Sequence, residues 1–156
     1  MGRMYTIDFG PTAITVAADV VEIVPADDKP VLVHGFEILQ TTDLGDAAEE
    51  VIGLSWVRGN STSGSGGGTP TPAPINPSDV AAGLTAETLN TTQASTGTVT
   101  TLQRHGWNIR VPLAVIYTPE TRPMVSQGQT RMCLRMAAAP ADSITISGCV
   151  TVEEQG

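Results

Sequence analysis

Apolar and polar residues alternate along much of this chain, and a period of two residues predicts β-strands. Near the beginning, Tyr5, Ile7 and Phe9 share one face of a predicted strand. Gly10-Pro11 follows them, and we expect this dipeptide to end the strand. The run 12–24 is less regular and predicts either one bent strand or two short ones.

The middle of the chain contains signals for strands that bend or lie at an edge. The apolar positions change parity across Gly35, as one extra residue in a β-bulge would cause. Trp56 has the parity of the other large apolar residues in its strand, which predicts that it is buried. The Thr-rich stretch 86–103 predicts exposed or edge strands. Pro112 has no N–H to donate and therefore marks an edge or a bulge.

The last two predicted strands, RMCLRMA and ITISGCVTVE, alternate most clearly and are joined by a Pro-Ala-Asp turn. A hairpin folded about Ala141 puts the apolar residues of both strands on one face. In that register Cys133 lies opposite Cys149. Two cysteines in such a chain are typical of thiols rather than of a disulfide framework, so we expect adjacent, unbridged thiols.

Together these patterns predict an all-β fold. We count eight to ten strands, and only the short segments 45–50 and 76–87 suit a single helical turn. Val and Thr are abundant, and the 16 Gly and 11 Pro residues separate short strands. With 156 residues, the chain is expected to form a single domain over 1–156, an antiparallel β-sandwich or jelly roll.

One long segment interrupts this pattern, the sequence GNSTSGSGGGTPTPAPINP at 59–77. Its Gly/Ser half is typical of a flexible chain and its Pro-rich half of a stiffer, extended one. It is either a tolerated surface insertion or an extended arm that becomes ordered only against a neighbouring subunit. The residues expected to contact a partner are Gly59, Thr69, Pro70, Pro72, Pro74, Ile75, Pro77 and, outside the segment, Trp107.

The net charge of the chain limits the classes of partner that it is expected to bind. Sixteen Asp and Glu against eight Lys and Arg give a net charge of −8. Such a surface repels phosphate backbones and anionic lipids, so we expect neither nucleic acid nor a membrane as partner. No apolar run approaches the ~18 residues of a membrane span, and the first ten residues lack the apolar core of a signal peptide.

The sequence contains no recognisable catalytic or metal-binding motif. His34 and His105 are the available bases, and neither has a G-x-S-x-G nucleophile motif beside it. We expect the first in a strand and the second in a turn. An acidic connector offers oxygen ligands for calcium but lacks the EF-hand spacing, which favours a solvated turn; its residues are Asp43, Asp46, Glu49 and Glu50. We therefore expect a non-enzymatic protein without metal or cofactor.

Two stretches, GDAAEEVIGLSWVRGNSTSGSGGGTPTPAPINPSD and AAPADSITISGCVTVEEQG, resemble a group of small tailed-bacteriophage proteins over nearly the whole chain. The resemblance implies a virion structural protein, above all a capsid decoration (cement) protein assembled in the host cytoplasm. The implied partners are the major capsid protein and further copies of the chain, with a trimer favoured.

Two other functions remain open from the sequence. One is a head-fibre, neck or tail component of the virion. The other is a carbohydrate-binding β-sandwich that uses Trp107 as an exposed platform for a sugar ring.

Overall fold

The computed structural model describes residues 2–42, 50–126 and 130–156. The described residues form β-strands and no helix, so the helical turn predicted within 76–87 is not seen, whereas the one predicted at 45–50 lies almost entirely outside the described residues. The strands are β1 Arg3–Ile14, β2 Asp19–Val24, β3 Val31–Gln40, β4 Val51–Asn60, β5 Ala73–Pro74, β6 Thr85–Asn90, β7 Thr100–Asn108, β8 Leu113–Ile116, β9 Met124–Val125, β10 Arg131–Met136 and β11 Ile144–Glu154.

Two antiparallel sheets pack face to face. Sheet A has the order β5-β1-β11-β3-β8, with β9 also paired to β3, and sheet B has the order β6-β2-β10-β4-β7. The predicted all-β class and single-domain antiparallel β-sandwich are confirmed. Nothing among the described residues is a helix long and apolar enough to cross a membrane.

The alternating patterns place the core as predicted. Tyr5, Ile7 and Phe9 are buried on β1, and the apolar set of β11 lies beside them. Trp56 is fully buried on β4. The two inner faces therefore share one hydrophobic cluster, because each strand turns its apolar parity toward the opposite sheet.

The local irregularities fall close to the predicted positions. Thr151 pairs with Gly35 but Val152 pairs with Val33, so β3 carries one extra residue at His34 and the predicted bulge is confirmed. Pro112 directly precedes β8, which is an edge strand of sheet A. The Thr-rich stretch supplies β6 and β7, the two edges of sheet B.

The expected end of the first strand was wrong. β1 continues through Gly10-Pro11 to Ile14, with a register shift against β11 between Phe9 and Thr12. Run 12–24 is therefore two strands, since its first residues complete β1 in sheet A and β2 begins sheet B at Asp19. A β-bulge accommodates Pro11, so β1 continues to pair with β11 where the sequence predicted that the strand would end.

The predicted terminal hairpin was also wrong. β10 lies in sheet B between β2 and β4, whereas β11 lies in sheet A between β1 and β3. Cys133 consequently has Glu22 and Val57 as cross-strand neighbours, while Cys149 has two carboxylate residues of sheet A as neighbours. Both thiols are free. Alternation fixed which face of each strand is apolar but could not choose its pairing partner.

Candidate interaction surfaces

The Gly/Ser-rich segment lies across the outer face of sheet B. Residues 61–68 pair with the segment that follows β6, through bridges of Thr62 to Ser95 and of Ser65 to Thr92. A third bridge joins Gly68 to β6. We call residues 61–68 and 91–97 together the cover. Beyond it, β5 pairs with β1, so the 59–77 segment passes from one sheet to the other.

Of the two alternatives for this segment, the arrangement favours a surface insertion over an arm that becomes ordered only against a neighbouring subunit. Its backbone is already hydrogen-bonded to its own chain, for example by Gly68 N to Thr88 O at 2.9 Å and by Ile75 N to Met4 O at 2.9 Å. The segment therefore belongs to the domain surface, as a layer on sheet B and a short strand on sheet A.

Beneath the cover lies a network of buried charges. Arg135 donates to both oxygens of the Asp19 carboxylate, from Nε at 2.7 Å and from Nη2 at 3.0 Å. Arg131 Nε lies 2.6 Å from Glu22 Oε1. Both carboxylate residues are at most 1% exposed. Paired in this way, the charges meet the requirement that buried ions be compensated.

The cover itself completes the bonding of these carboxylates. Gly64 N donates to Glu22 Oε2 at 2.9 Å, and Ser63 Oγ donates to Glu22 Oε1 at 2.7 Å. From the other half of the cover, Ala94 N donates to Asp19 Oδ2 at 2.7 Å. A side chain at Gly64 would reach within 2.6 Å of the Thr92 carbonyl oxygen. Glycine at this position thus allows the close approach that the bond to Glu22 requires.

The same cluster contains the one set of candidate metal ligands found among the described residues. A carboxylate oxygen of Asp19, a carboxylate oxygen of Glu22 and the Sγ of Cys133 all lie within 4.8 Å of one another. Both carboxylates are already neutralised by guanidinium groups, and burial raises the pKa of the Cys133 thiol, which disfavours the thiolate a metal needs. This chemistry is that of a structural ion-pair network.

Sequence reasoning missed this network. Its signal was present as two carboxylate residues, Asp19 and Glu22, within an otherwise apolar strand, and as two arginines on the polar face of β10. No spacing rule links these strands, because their pairing is set by the tertiary fold.

Trp107 is not the exposed platform that was predicted. Its side chain is 1% exposed and its Nε1 donates to the carbonyl oxygen of Val111 at 3.0 Å. The prediction that Trp107 contacts a sugar or a partner was therefore wrong. Trp107 pairs with Ile52 of β4, and both side chains point inward, so Trp107 belongs to the hydrophobic core.

The remaining predicted contact residues divide into two groups. Gly59 is half-buried against the Thr98 carbonyl, and Pro72 is buried, so both pack within their own chain. Pro70 is half-buried, and Pro74 is half-buried in its pairing with Tyr5. The residues that stay exposed are Thr69, Ile75 and Pro77.

The two histidines tie structural elements together. His34 Nε2 lies 2.7 Å from Glu153 Oε2, linking β3 to β11.

His105 lies in β7 rather than in the predicted turn, and its Nε2 is 2.9 Å from the hydroxyl of Tyr117, just after β8. Trp56 Nε1 donates to that hydroxyl at 3.0 Å. Burial raises the pKa of Tyr117 to about 12 and lowers the pKa of His105. The Tyr117 hydroxyl thus lies between Trp56 and His105 of sheet B, and this chain of hydrogen bonds joins the two sheets.

The acidic connector falls largely outside the described residues. Asp43, Asp46 and Glu49 belong to that part, so the solvated turn stays a prediction and calcium its alternative. Glu50 is described, and both its carboxylate oxygens accept a hydrogen bond from Ala141 N at 3.0 Å.

The outer face of sheet A carries an acidic row. Cys149 of β11 lies between Asp8 of β1 and Glu37 of β3 in the pairing register. Both carboxylate residues are exposed. Beside them a hollow of about 320 Å³ opens over Gly35, with Glu37, Cys149 and Ile116 among its walls. The Ile116 side chain is 90% exposed. Unlike sheet B with its cover, this face presents charge, an apolar side chain and a concavity together.

Comparison with known proteins adds no relative: no family model, curated protein or solved structure matches this chain.

Proposed function

We propose that this protein is a non-enzymatic structural protein of a tailed-bacteriophage virion that decorates and stabilises the capsid exterior as a homo-oligomer. Three features support the proposal: the resemblance in sequence, the acidic β-sandwich, and an outer face of sheet A suited to contacts with other proteins. The observation that carries it is the contrast between the two outer faces. On sheet B the cover lies over the buried ion-pair network, whereas sheet A presents an acidic row beside exposed Ile116.

The polar groups of the interior fit a role in which rigidity matters. Asp19 and Glu22 are held by arginines and by the cover, and the Tyr117 hydroxyl is held between Trp56 and His105. These contacts join neighbouring strands, the cover and the two sheets. A protein that reinforces a capsid benefits from such internal hydrogen bonds and ion pairs, because it must bear mechanical load without unfolding.

Particles of the encoding phage, produced with and without this protein, test the proposal. We expect cryo-EM to locate the protein on the capsid surface in hundreds of copies. Capsids that lack it should lose their contents at a lower temperature and in low salt. Capsids equally resistant without the protein would contradict the stabilising role.

Copy number separates this role from its structural alternative. A handful of copies at a vertex, neck or tail would assign the protein to a head-fibre, neck or tail component. The carbohydrate-binding alternative has lost its basis, because the tryptophan on which it depended is buried.

A further inference from the structure

The four edges of the two sheets differ in how they are protected. The cover bridges β6 at Thr88, and β5 pairs with the beginning of β1. β8 is only four residues long and follows Pro112. β7 extends over nine residues, Thr100–Asn108, at the end of sheet B. Among the described residues, no strand pairs with its outer side. This edge is therefore accessible to a second chain.

Positive charge is concentrated around this edge. Four of the eight Lys and Arg residues lie on β7 or beside it. Arg104 is exposed on β7, Arg110 follows its end, Arg58 pairs opposite Thr100, and Arg122 shares a surface hollow with the strand. We call these four residues and β7 the arginine edge. Among the described residues that line the hollow, Glu120 is the single carboxylate.

The same chain carries the complement of this charge on another surface. Asp8 and Glu37 are exposed on the outer face of sheet A, and the hollow over Gly35 adjoins Glu37. An arginine side chain fits such a place well. Its guanidinium pairs with a carboxylate in a planar, two-bond geometry, while its methylene stem packs on an apolar wall such as Ile116.

We infer that the arginine edge of one copy docks on the acidic outer face of sheet A of a second copy, with Arg104 directed to Glu37 and the hollow over Gly35. The inference rests on the proposed homo-oligomer and specifies its interface. Two arginine edges facing each other across a twofold axis would bring like charges together, which is unfavourable. Docking of two different surfaces instead repeats head to tail, and it forms a ring such as a cyclic trimer when the rotation between successive copies closes.

Native Cys149 lies at the centre of the acidic row and permits a direct test by cross-linking. Thr101→Cys places an exposed thiol on β7, in addition to Cys149 and buried Cys133, and leaves Arg104 in place. With a short bis-maleimide, we expect links between the introduced thiol of one copy and Cys149 of another, identified by peptide mass spectrometry. The matched control is Asp142→Cys, in the exposed turn before β11, which should give no such link. Links between two introduced thiols on β7, or none from β7 to Cys149, would overturn the inference.

Charge reversal provides the second test. Arg104→Glu and Glu37→Arg both change exposed side chains, so circular dichroism should show each variant folded. Each alone should weaken self-association by about tenfold, and a mixture of the two should restore it, because the reversed surfaces are complementary. Variants that associate like the parent, or a mixture that shows no recovery, would contradict the interface. A monomeric parent protein in native mass spectrometry would refute both the interface and the homo-oligomer, while the copy number on the virion remains a separate measurement.

Discussion

Asp19 and Arg135 form a doubly bonded ion pair beneath a layer of the protein's own chain. Their paired atoms are 2.7 and 3.0 Å apart, and the Asp19 side chain is fully buried. Arg135 Nη2 also donates to the carbonyl oxygen of Ala94 in the cover, at 2.7 Å. One arginine thus connects β2, β10 and the cover.

Removing the arginine should be much more costly than removing an exposed one. Arg135→Met leaves the buried Asp19 carboxylate without its counter-charge, and we expect a loss of about 3–5 kcal/mol in the free energy of unfolding. Arg104→Met, on the exposed face of β7, should change it by no more than about 0.5 kcal/mol. Urea denaturation of both variants measures the difference. Equal effects would show that the ion pair does not stabilise the fold.

A second prediction concerns two glycines of the cover. A Cβ at Gly64 would lie 2.6 Å from the Thr92 carbonyl oxygen and 2.8 Å from the Asn90 side-chain nitrogen, whereas a Cβ at Gly68 would meet its nearest neighbour at 3.6 Å. Gly64→Ala should therefore displace the cover from Glu22 and cost about 1–3 kcal/mol. Gly68→Ala should be close to neutral. Thermal unfolding compares the two, and an equal decrease in Tm would contradict the close approach at Gly64.

Stability should decrease in mild acid because of His105. Its ring packs against Phe36 and Tyr117, and burial lowers its pKa below the ordinary value of 6.5. The unfolded chain therefore binds a proton more readily, so this contribution is complete above about pH 6.5 and is lost as the pH falls toward the lower folded-state pKa.

His105→Gln tests this prediction, because glutamine keeps a hydrogen-bond acceptor for Tyr117 but does not titrate in this range. Denaturant unfolding from about pH 7.5 to about pH 5.5 should show a steeper loss of stability for the parent than for this variant. Parallel curves for the two proteins would exclude His105 as the source of the pH dependence.

The two thiols should differ in reactivity. Cys149 is half-buried on the outer face of sheet A, whereas Cys133 is fully buried between Val57 and Ala94 of the cover. Burial raises the pKa of both thiols. With N-ethylmaleimide at neutral pH, intact-mass analysis should show one slow modification, at Cys149. Labelling of Cys133 should require unfolding, and its modification at the same rate would mean that the cover opens readily.

The sequence by itself determined the class of the fold and the face of most strands. Period-two alternation works because successive side chains of a strand point to opposite faces, so a local pattern decides what is buried. The bulge at Gly35 and the burial of Trp56 were predictable for this reason, and the edge position of β8 was predictable because Pro112 has no N–H to donate.

What the tertiary structure alone decided was which strands became neighbours. RMCLRMA and ITISGCVTVE alternate like the two arms of a hairpin, yet they lie in different sheets. Asp19 and Glu22 are three residues apart, so a regular strand would point them to opposite faces. A register shift at Val20 brings both under the cover. Such choices depend on contacts between residues far apart in the chain, whose pairing energies no local pattern encodes.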